Sequence, residues 1–330
     1  MLVGGIGTRL RPLTLTTPKQ MLPIVHRPMV EHVLAHLHRH GIDDAVLSLG
    51  YRPDAFAEAY PDNRCAGVMV HYAVEPEPLD TAGAIRFAAR DAGIAERFVV
   101  LNGDVLTDLD LGAFLALHQA RGAEASIALH RVDDPSAFGV VPTDDDGRVQ
   151  AFVEKPPRHE APTDLINAGT YVLEPSVLAR IPDGRRVSIE RETFPAMAAD
   201  RSLYALDGDT YWIDAGTPGQ YLQAQLDLLD GARGPAVGGV SADAVVDPGA
   251  DVRRSVIGAG AVVERGALVH DAALLPGALV RSGAKITASV VGPAAVVGEG
   301  AVLDQLTVVG AGFVVEPGAT HTAGRLPESA

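Results

Sequence analysis

Residues Gly4 to Pro23 read GGIGTRLRPLTLTTPKQMLP, in which glycines are followed by Arg9, Arg11 and Lys19 and no acidic residue occurs before Glu31. Glycines let backbone N–H groups approach an anion, and the cations that follow can neutralise it. The chain has a formal net charge of −15, so this basic stretch marks a place where negative charge is received. Gly4, Gly5, Gly7 and Thr8 would cradle a polyphosphate, with Arg9 and Lys19 gripping it. Asp104, in LNGDV after an apolar run, stands where a carboxylate can hold a metal or simply close a turn. Asp214, in YWIDAGTP, is the second carboxylate of this kind. Lysine is scarce: Lys19, Lys155 and Lys285 stand alone against a background of arginine. Two of the three fall inside these chemical motifs, where a compact, flexible point charge has a use that a planar fork does not.

The elements that must position these groups follow from periodicity. Met29 to His40 carries apolar residues at helical spacing and stops at Gly41. Ala45–Leu49, Val68–Ala73 and Phe98–Leu101 read as short strands, with helices near 54–59, 81–90 and 110–120 between and after them. This alternation predicts a Rossmann-like, doubly wound α/β domain with a parallel sheet, whose ligands bind beyond the carboxyl ends of the strands. Gly4 and Asp104 both fall at that end. Met1 to Val3 is short for a central strand, and the chain is expected to extend upstream of Met1. Strand-like runs at Ser126–His130, Gly139–Pro142, Val149–Glu154 and Ile166–Leu173 read as an acceptor-binding half. A helix from Pro218 to Leu229 closes the domain, which is expected to cover 1–232.

Beyond it, aliphatic residues recur six apart at Ile257, Val263, Val269 and Leu275, and again from Val291 to Val315. The tetrads SVIG, ALLP, SVVG and TVVG start at Ser255, Ala273, Ser289 and Thr307. Three hexapeptides per coil predict a C-terminal left-handed parallel β-helix over 233–330, with about four coils.

With 330 residues and 47 % hydrophobic content, two domains are expected. No apolar run approaches the roughly 20 residues that span a bilayer. A single cysteine, Cys65, excludes an intrachain disulfide and a multi-cysteine zinc site, and agrees with a cytoplasmic protein. The acidic balance argues against nucleic acid and anionic membranes as partners.

The opening string, LNGDV, FVEKPP, INAGTY and YWIDAGTP together resemble the sugar-1-phosphate nucleotidyltransferases, and SIERETFP at Ser188–Pro195 resembles the mannose-1-phosphate guanylyltransferases among them. The resemblance covers essentially the whole chain. It implies transfer of a nucleotidyl group from a nucleoside triphosphate to a sugar-1-phosphate, with Mg²⁺ held by Asp104 and Asp214 and catalytic roles for these two and for Arg9 and Lys19. It assigns the sugar phosphate to Lys155, the sugar hydroxyls to Glu154, and further sugar contacts to Gly139, Asn167 and Gly169. The base-reading segment would be Glu75 to Ala84, with Glu75, Asp80, Thr81 and Gly83 near the nucleotide. Relatives that use thymine or uracil carry an amide where Glu75 stands. A carboxylate there accepts from N1–H and the exocyclic amine of guanine, which favours GTP and hence a GDP-sugar. Asp80 departs from the glycine found in many members. The alternatives are dTTP or UTP with glucose-1-phosphate or a cyclitol phosphate, a hexapeptide acyltransferase using His270, and a regulatory nucleotide-sugar-binding subunit. The β-helix is expected to serve homo-oligomerisation.

Overall fold

A computed structural model describes residues 1–50 and 52–328. The chain forms two compact units, one of Met1–Gly5 with Val33–Trp212 and one of Ile6–His32 with Ile213–Ala330.

In the first unit, Leu2 bridges in parallel to both Ser48 and Asn102, which places it between two strand ends. Asp44–Leu49 runs parallel to Val68–Val74, and Phe98–Leu101 follows. The helices Pro53–Ala59, Asp80–Asp91 and Leu111–Arg121 alternate with these strands. The last begins where the Asp110 carboxylate accepts from the Ala113 N–H at 3.0 Å and ends at Gly122 with φ +55°. This half is the doubly wound arrangement expected from the sequence.

The sheet as a whole is mixed rather than parallel. Leu165–Leu173 pairs antiparallel with both Phe98–Leu101 and Ala125–Arg131, while Leu203–Asp207 returns parallel to Ala125–Arg131. The reason lies in the connections: no crossover helix separates Ala125–Arg131 from Leu165–Leu173, and without one the chain must come back antiparallel. Between them sits a small antiparallel pair, Gly139–Val140 with Val153–Glu154, shorter than the strand expected from Val149. Ile85, Val100, Ile127, Tyr171, Phe194 and Met197 fill the core beneath. A cavity of about 860 Å³ runs along the strands, lined from Asp44 and Phe98 at their amino ends to Ser48 and Leu101 at their carboxyl ends.

In the second unit the helix Pro218–Asp230 starts at the cap Thr217 and stops at Gly231, φ +76°. Its Gln225 Nε2 donates to the Pro23 carbonyl at 2.8 Å and Tyr221 donates to the same oxygen, which fastens the 6–32 segment to the helix. The rest of the unit is a solenoid of three parallel sheets, each of five strands, so it has five coils and not four. Ile257, Leu274, Val291 and Val309 stack inward at one side, fully buried. This register sets Ala272, not Ala273, opposite Ser255, because Leu274 has to stack between Ile257 and Val291. The Ser255 hydroxyl accepts from the Ala272 N–H at 3.1 Å.

Candidate active site

The first unit gathers chain reversals at one edge. Gly4 follows Leu2, Glu75 follows Val74, and Asp104 follows Phe98–Leu101. A Cβ at Gly4 would lie 3.1 Å from the Gly50 amide nitrogen and 3.3 Å from Glu75 Oε1, so glycine is what allows these strand ends to meet. Gly5 has no neighbour within 4 Å of a built Cβ and leaves its backbone open. Asp104 sits in a half-buried turn pinned by three bonds: Asn102 N–H to Gly169 O at 2.9 Å, Gly103 N–H to Leu2 O at 2.9 Å, and Val105 N–H to Asn102 O. The carboxylate is thus carried on fixed backbone, as a metal ligand needs.

The base-reading segment divides in two. Glu75 accepts from the Ser48 hydroxyl at 2.9 Å on Oε1 and from the Leu79 N–H at 3.1 Å on Oε2. Each oxygen keeps a further lone pair, so the carboxylate is held in place and still able to accept. Asp80, exposed, has φ +63°, and its carboxylate accepts from the Thr81 N–H at 2.9 Å. That backbone is the one glycine adopts freely and Asp tolerates better than most residues, which explains how Asp can replace a glycine there.

Thr81 and Gly83 are otherwise engaged than the sequence suggests. The N–H groups of Ala82 and Gly83 both reach the Val187 carbonyl, at 2.9 and 3.2 Å. Thr81 Oγ1 donates to Glu190 at 2.7 Å and accepts from the Ile189 N–H at 2.8 Å. A Cβ on Gly83 would meet Leu79 Cβ at 2.9 Å and Arg185 O at 3.2 Å. The N–H groups of Thr81, Ala82 and Gly83, the first donors of this helix, are thus engaged inside the chain, and Gly83 is closely packed. SIERETFP is the partner in this lock, with Ser188 also donating to Glu190 at 2.9 Å.

A second cluster of the same unit surrounds the Gly139 hairpin. A Cβ there would stand 2.5 Å from the Phe152 ring and 3.1 Å from Glu154 Oε2, so only glycine lets these side chains cross the strand. Lys155 Nζ lies 3.3 Å from Glu154 Oε1, and Arg191 Nη2 lies 4.0 Å from the same oxygen. Lys155 has φ +49°, a bend that turns it away from the strand. The strand Leu165–Leu173 bulges between Asn167 and Tyr171. There Asn167 Oδ1 accepts from the Gly169 N–H at 3.0 Å and Asn167 Nδ2 donates to Tyr171 OH at 2.9 Å. Burial pushes the Tyr171 phenol well above its usual range, so it stays a neutral hydrogen-bonding group. The Trp212 indole donates to Ala168 O at 2.9 Å and stacks on His130, fixing the bulge from its other side. Ser48, Tyr171 and Arg191 are the supporting residues that sequence reasoning missed, and none of them stands out by type.

In the second unit, Gly7 (φ +70°) turns the 6–32 segment, and its carbonyl accepts from the Thr14 hydroxyl at 2.7 Å. A Cβ on Gly7 would meet Thr14 at 3.0 Å and the Lys19 Cβ at 3.2 Å, so this glycine keeps Lys19 close to the turn that carries Thr8 and Arg9. The exposed Arg9 lies 3.8 Å from Asp214, whose side chain is 17 % exposed. Asp214 also accepts from the Gly216 N–H at 2.9 Å, and a Cβ on Gly216 would strike both Arg9 and Asp214 at 2.7 Å. Arg11 has a structural role here: its carbonyl accepts from Arg325 at 2.7 Å. His270 lies on the outer surface of the solenoid, 3.1 Å from Asp251.

A sheet edge with glycine turns and fixed carboxylates, on a chain that ends in a hexapeptide solenoid, defines a class: a Rossmann-like α/β domain joined to a parallel coil. Residues 1–231 match the Nucleotidyl transferase family, and residues 237–323 match the GMPPB C-terminal domain. The chain belongs to the nucleotidyl transferase family, whose members generally use a divalent metal and act on nucleotides. It is 44 % identical to the mannose-1-phosphate guanylyltransferase of Mycobacterium tuberculosis over 76 % of this chain and 70 % of that protein. It is 39 % identical to the Schizosaccharomyces pombe mannose-1-phosphate guanyltransferase over 77 % and 72 %. With the Hypocrea jecorina enzyme of that name the match, 42 % identical, spans 67 % of this chain and 61 % of the relative's length. Among solved structures, HddC from Yersinia pseudotuberculosis complexed with GMP-PN is 30 % identical, with a TM-score of 0.58, covering 68 % of this chain and 96 % of HddC.

Proposed function

We propose that this protein transfers a guanylyl group from GTP to mannose-1-phosphate, giving GDP-mannose and pyrophosphate. The observation that carries the reading is the similarity, at 38–44 % identity, to relatives named for that reaction, together with a carboxylate at Glu75 held in an orientation where it can accept. Guanine presents two adjacent donors, and Glu75 keeps one free lone pair on each oxygen. The acceptor's phosphate oxygen attacks the α-phosphorus while the bond to pyrophosphate breaks. Lys19 and Arg9 neutralise the triphosphate, with Lys19 stabilising charge that grows at the α-phosphate. Lys155 holds the sugar phosphate and Glu154 accepts from sugar hydroxyls; Gly139 and Gly169 let the hairpin and bulge close on that sugar, and Asn167 orients it.

Asp104 and Asp214 are the proposed Mg²⁺ ligands. Asp104 sits on a pinned turn and Asp214 ends the strand Trp212–Asp214 with its carboxylate bonded to the Gly216 N–H, and hard oxygen donors in small number suit this ion. When bound, the ion supplies charge neutralisation and orientation at the phosphates. Homo-oligomerisation through the coil domain and a cytoplasmic location complete the proposal; among the described residues no helix is long and apolar enough to cross a membrane. The test is pyrophosphate release across a grid of GTP, dTTP and UTP with mannose-1-phosphate, glucose-1-phosphate and a cyclitol phosphate. GTP with mannose-1-phosphate is expected to turn over fastest, and Glu75→Gln to erode the preference for GTP. Best turnover with dTTP would overturn the base assignment.

A further inference from the structure

The segment that follows Ser188 is wound more widely than an α-helix. Ile189–Thr193 is a π-helical turn, and the Ser188 hydroxyl accepts from the Arg191 N–H at 3.2 Å at its start. Such turns are rare and occur frequently at functional sites. This one is fastened to the acceptor half of the first unit. Phe194 meets Tyr171 edge to face, with ring centres 5.0 Å apart, and lies 6.0 Å from the Phe152 ring, while Arg191 reaches towards the Glu154 carboxylate. Glu190 stands beside these contacts, half-buried. Its Oε2 accepts from both the Thr81 and the Ser188 hydroxyls, at 2.7 and 2.9 Å. Among the described residues no cation lies within ion-pairing distance of it, and no donor reaches its Oε1. A carboxylate oxygen that loses water without gaining a donor is costly, and a bound ligand can supply that donor. Burial is the main cause that raises the Tyr171 phenol, and the charges of Glu190 and Glu154 add to it. Both carboxylates therefore act on one hydroxyl, the same one to which Asn167 Nδ2 donates at 2.9 Å.

We propose that Glu190 is a specificity-determining residue of the acceptor site, its Oε1 accepting from a ring hydroxyl of the sugar that Glu154 does not take. The proposal rests on the placement of the acceptor at Glu154, Lys155 and Asn167. The chemistry selects a neutral hydroxyl as the partner. A carboxylate repels the phosphate groups of both substrates, whereas an O–H is a donor that it binds strongly with no change of charge. Two carboxylates also do what one cannot: each takes a separate hydroxyl, so together they fix how the ring is turned. A site built to bond a hydroxyl rejects a sugar that lacks it, because the buried acceptor is then left unpaired. The hydroxyls of Thr81 and Ser188 hold one oxygen of Glu190 and so present the other in a set direction, as Ser48 and the Leu79 N–H do for Glu75.

Glu190→Gln separates this role from the bonds to Thr81 and Ser188. Those two donors keep the amide oxygen on their side, which turns the NH₂ group, itself a donor, to where Oε1 accepted. Initial rates at saturating GTP, with the sugar phosphate that the parent uses best and its 2-, 3-, 4- and 6-deoxy forms, give kcat/KM for each. In the parent, losing a hydroxyl that the site bonds should cost about tenfold or more. In Glu190→Gln the full sugar phosphate should fall by about tenfold or more, mostly through KM, and one deoxy form should no longer be worse than it. The urea midpoint should stay close to the parent's. Thr81→Val removes a hydroxyl that holds Glu190 but leaves Oε1, so it should lower the urea midpoint while all the deoxy penalties of the parent persist. Deoxy penalties in Glu190→Gln equal to the parent's would mean that Glu190 is structural only, and would overturn the assignment. A structure of the parent with the sugar phosphate bound reads the same point with no variant: a ring hydroxyl about 3 Å from Glu190 Oε1 supports the assignment, and none there overturns it. A parent that uses no sugar-1-phosphate would overturn the acceptor reading and this assignment together.

Discussion

Gly169→Ala tests whether the bulge in Leu165–Leu173 and the Asp104 turn act as one device. The perturbation is a single methyl group, and its surroundings are tight. A Cβ at 169 would sit 2.5 Å from Asn102 Nδ2, 3.0 Å from Asn102 Cγ and 3.3 Å from Asn102 Cβ, on a residue whose φ is +70°. The left-handed backbone costs alanine about 1–2 kcal/mol, and pushing the Asn102 side chain off its rotamer adds about 1 kcal/mol or more, giving about 2–4 kcal/mol of destabilisation. Asn102 begins the turn that holds Asp104, and its N–H bonds to the Gly169 carbonyl at 2.9 Å. Relief of the clash therefore shifts the carboxylate, and a displacement of about 1 Å at a reacting group can cost about a hundredfold in rate. Urea unfolding gives the stability term and pyrophosphate release the catalytic one. Asn102→Ala in the same chain removes Nδ2 and Cγ but leaves the backbone term, so the double variant should recover about 1 kcal/mol relative to additivity. Stability within about 0.5 kcal/mol of the parent, with unchanged turnover in Gly169→Ala, would refute the coupling.

Three further outcomes are expected. Asp104→Asn and Asp214→Asn each lower kcat by about a hundredfold or more at saturating Mg²⁺ while GTP affinity, read by calorimetry, moves far less. Lys155→Ala raises the KM for the sugar phosphate about tenfold or more with a smaller change in kcat, since it removes one charge-assisted contact to the acceptor; steady-state kinetics with GTP saturating separates the two. Burial pushes His32 down to about 4 from 6.5, while its Nε2 faces the Ile24 carbonyl at 3.0 Å. Above pH 6.5 the ring is neutral folded and unfolded; as pH falls towards 4 only the unfolded chain takes up the proton, so stability falls by about 3 kcal/mol across that window, a slope that His32→Gln should flatten in urea titrations.

How much of this was legible in the sequence depends on how local the cause is. The solenoid is legible because each inward residue repeats every coil and answers to its own neighbours above and below. Besides the count of coils, its misreading arises at Ala272-Ala273, two small residues of which either could face Ser255; the choice falls to Leu274, which must stack between Ile257 and Val291. Chemical groups were legible by type, since Asp104, Asp214, Lys155 and Glu75 stand in short, distinctive strings. What their neighbours do was not. Nothing local announces that Glu75 is braced by Ser48, 27 residues away, or that Val187 and Glu190 occupy the donors of Ala82, Gly83 and Thr81, 104 to 109 residues earlier. The glycines show the same division. Gly139 and Gly169 are visible as glycines in their motifs, yet the reason for each is a side chain from another strand or turn, Phe152 in one case and Asn102 in the other. Asp80 is the instructive exception: its difference from the glycine of the family it resembles is visible in the sequence, whereas its φ of +63°, a backbone that glycine adopts freely, is not. The carboxylate that this adds accepts from the Thr81 N–H at 2.9 Å, so the charge that the sequence places near the nucleotide is engaged by the backbone of the next residue.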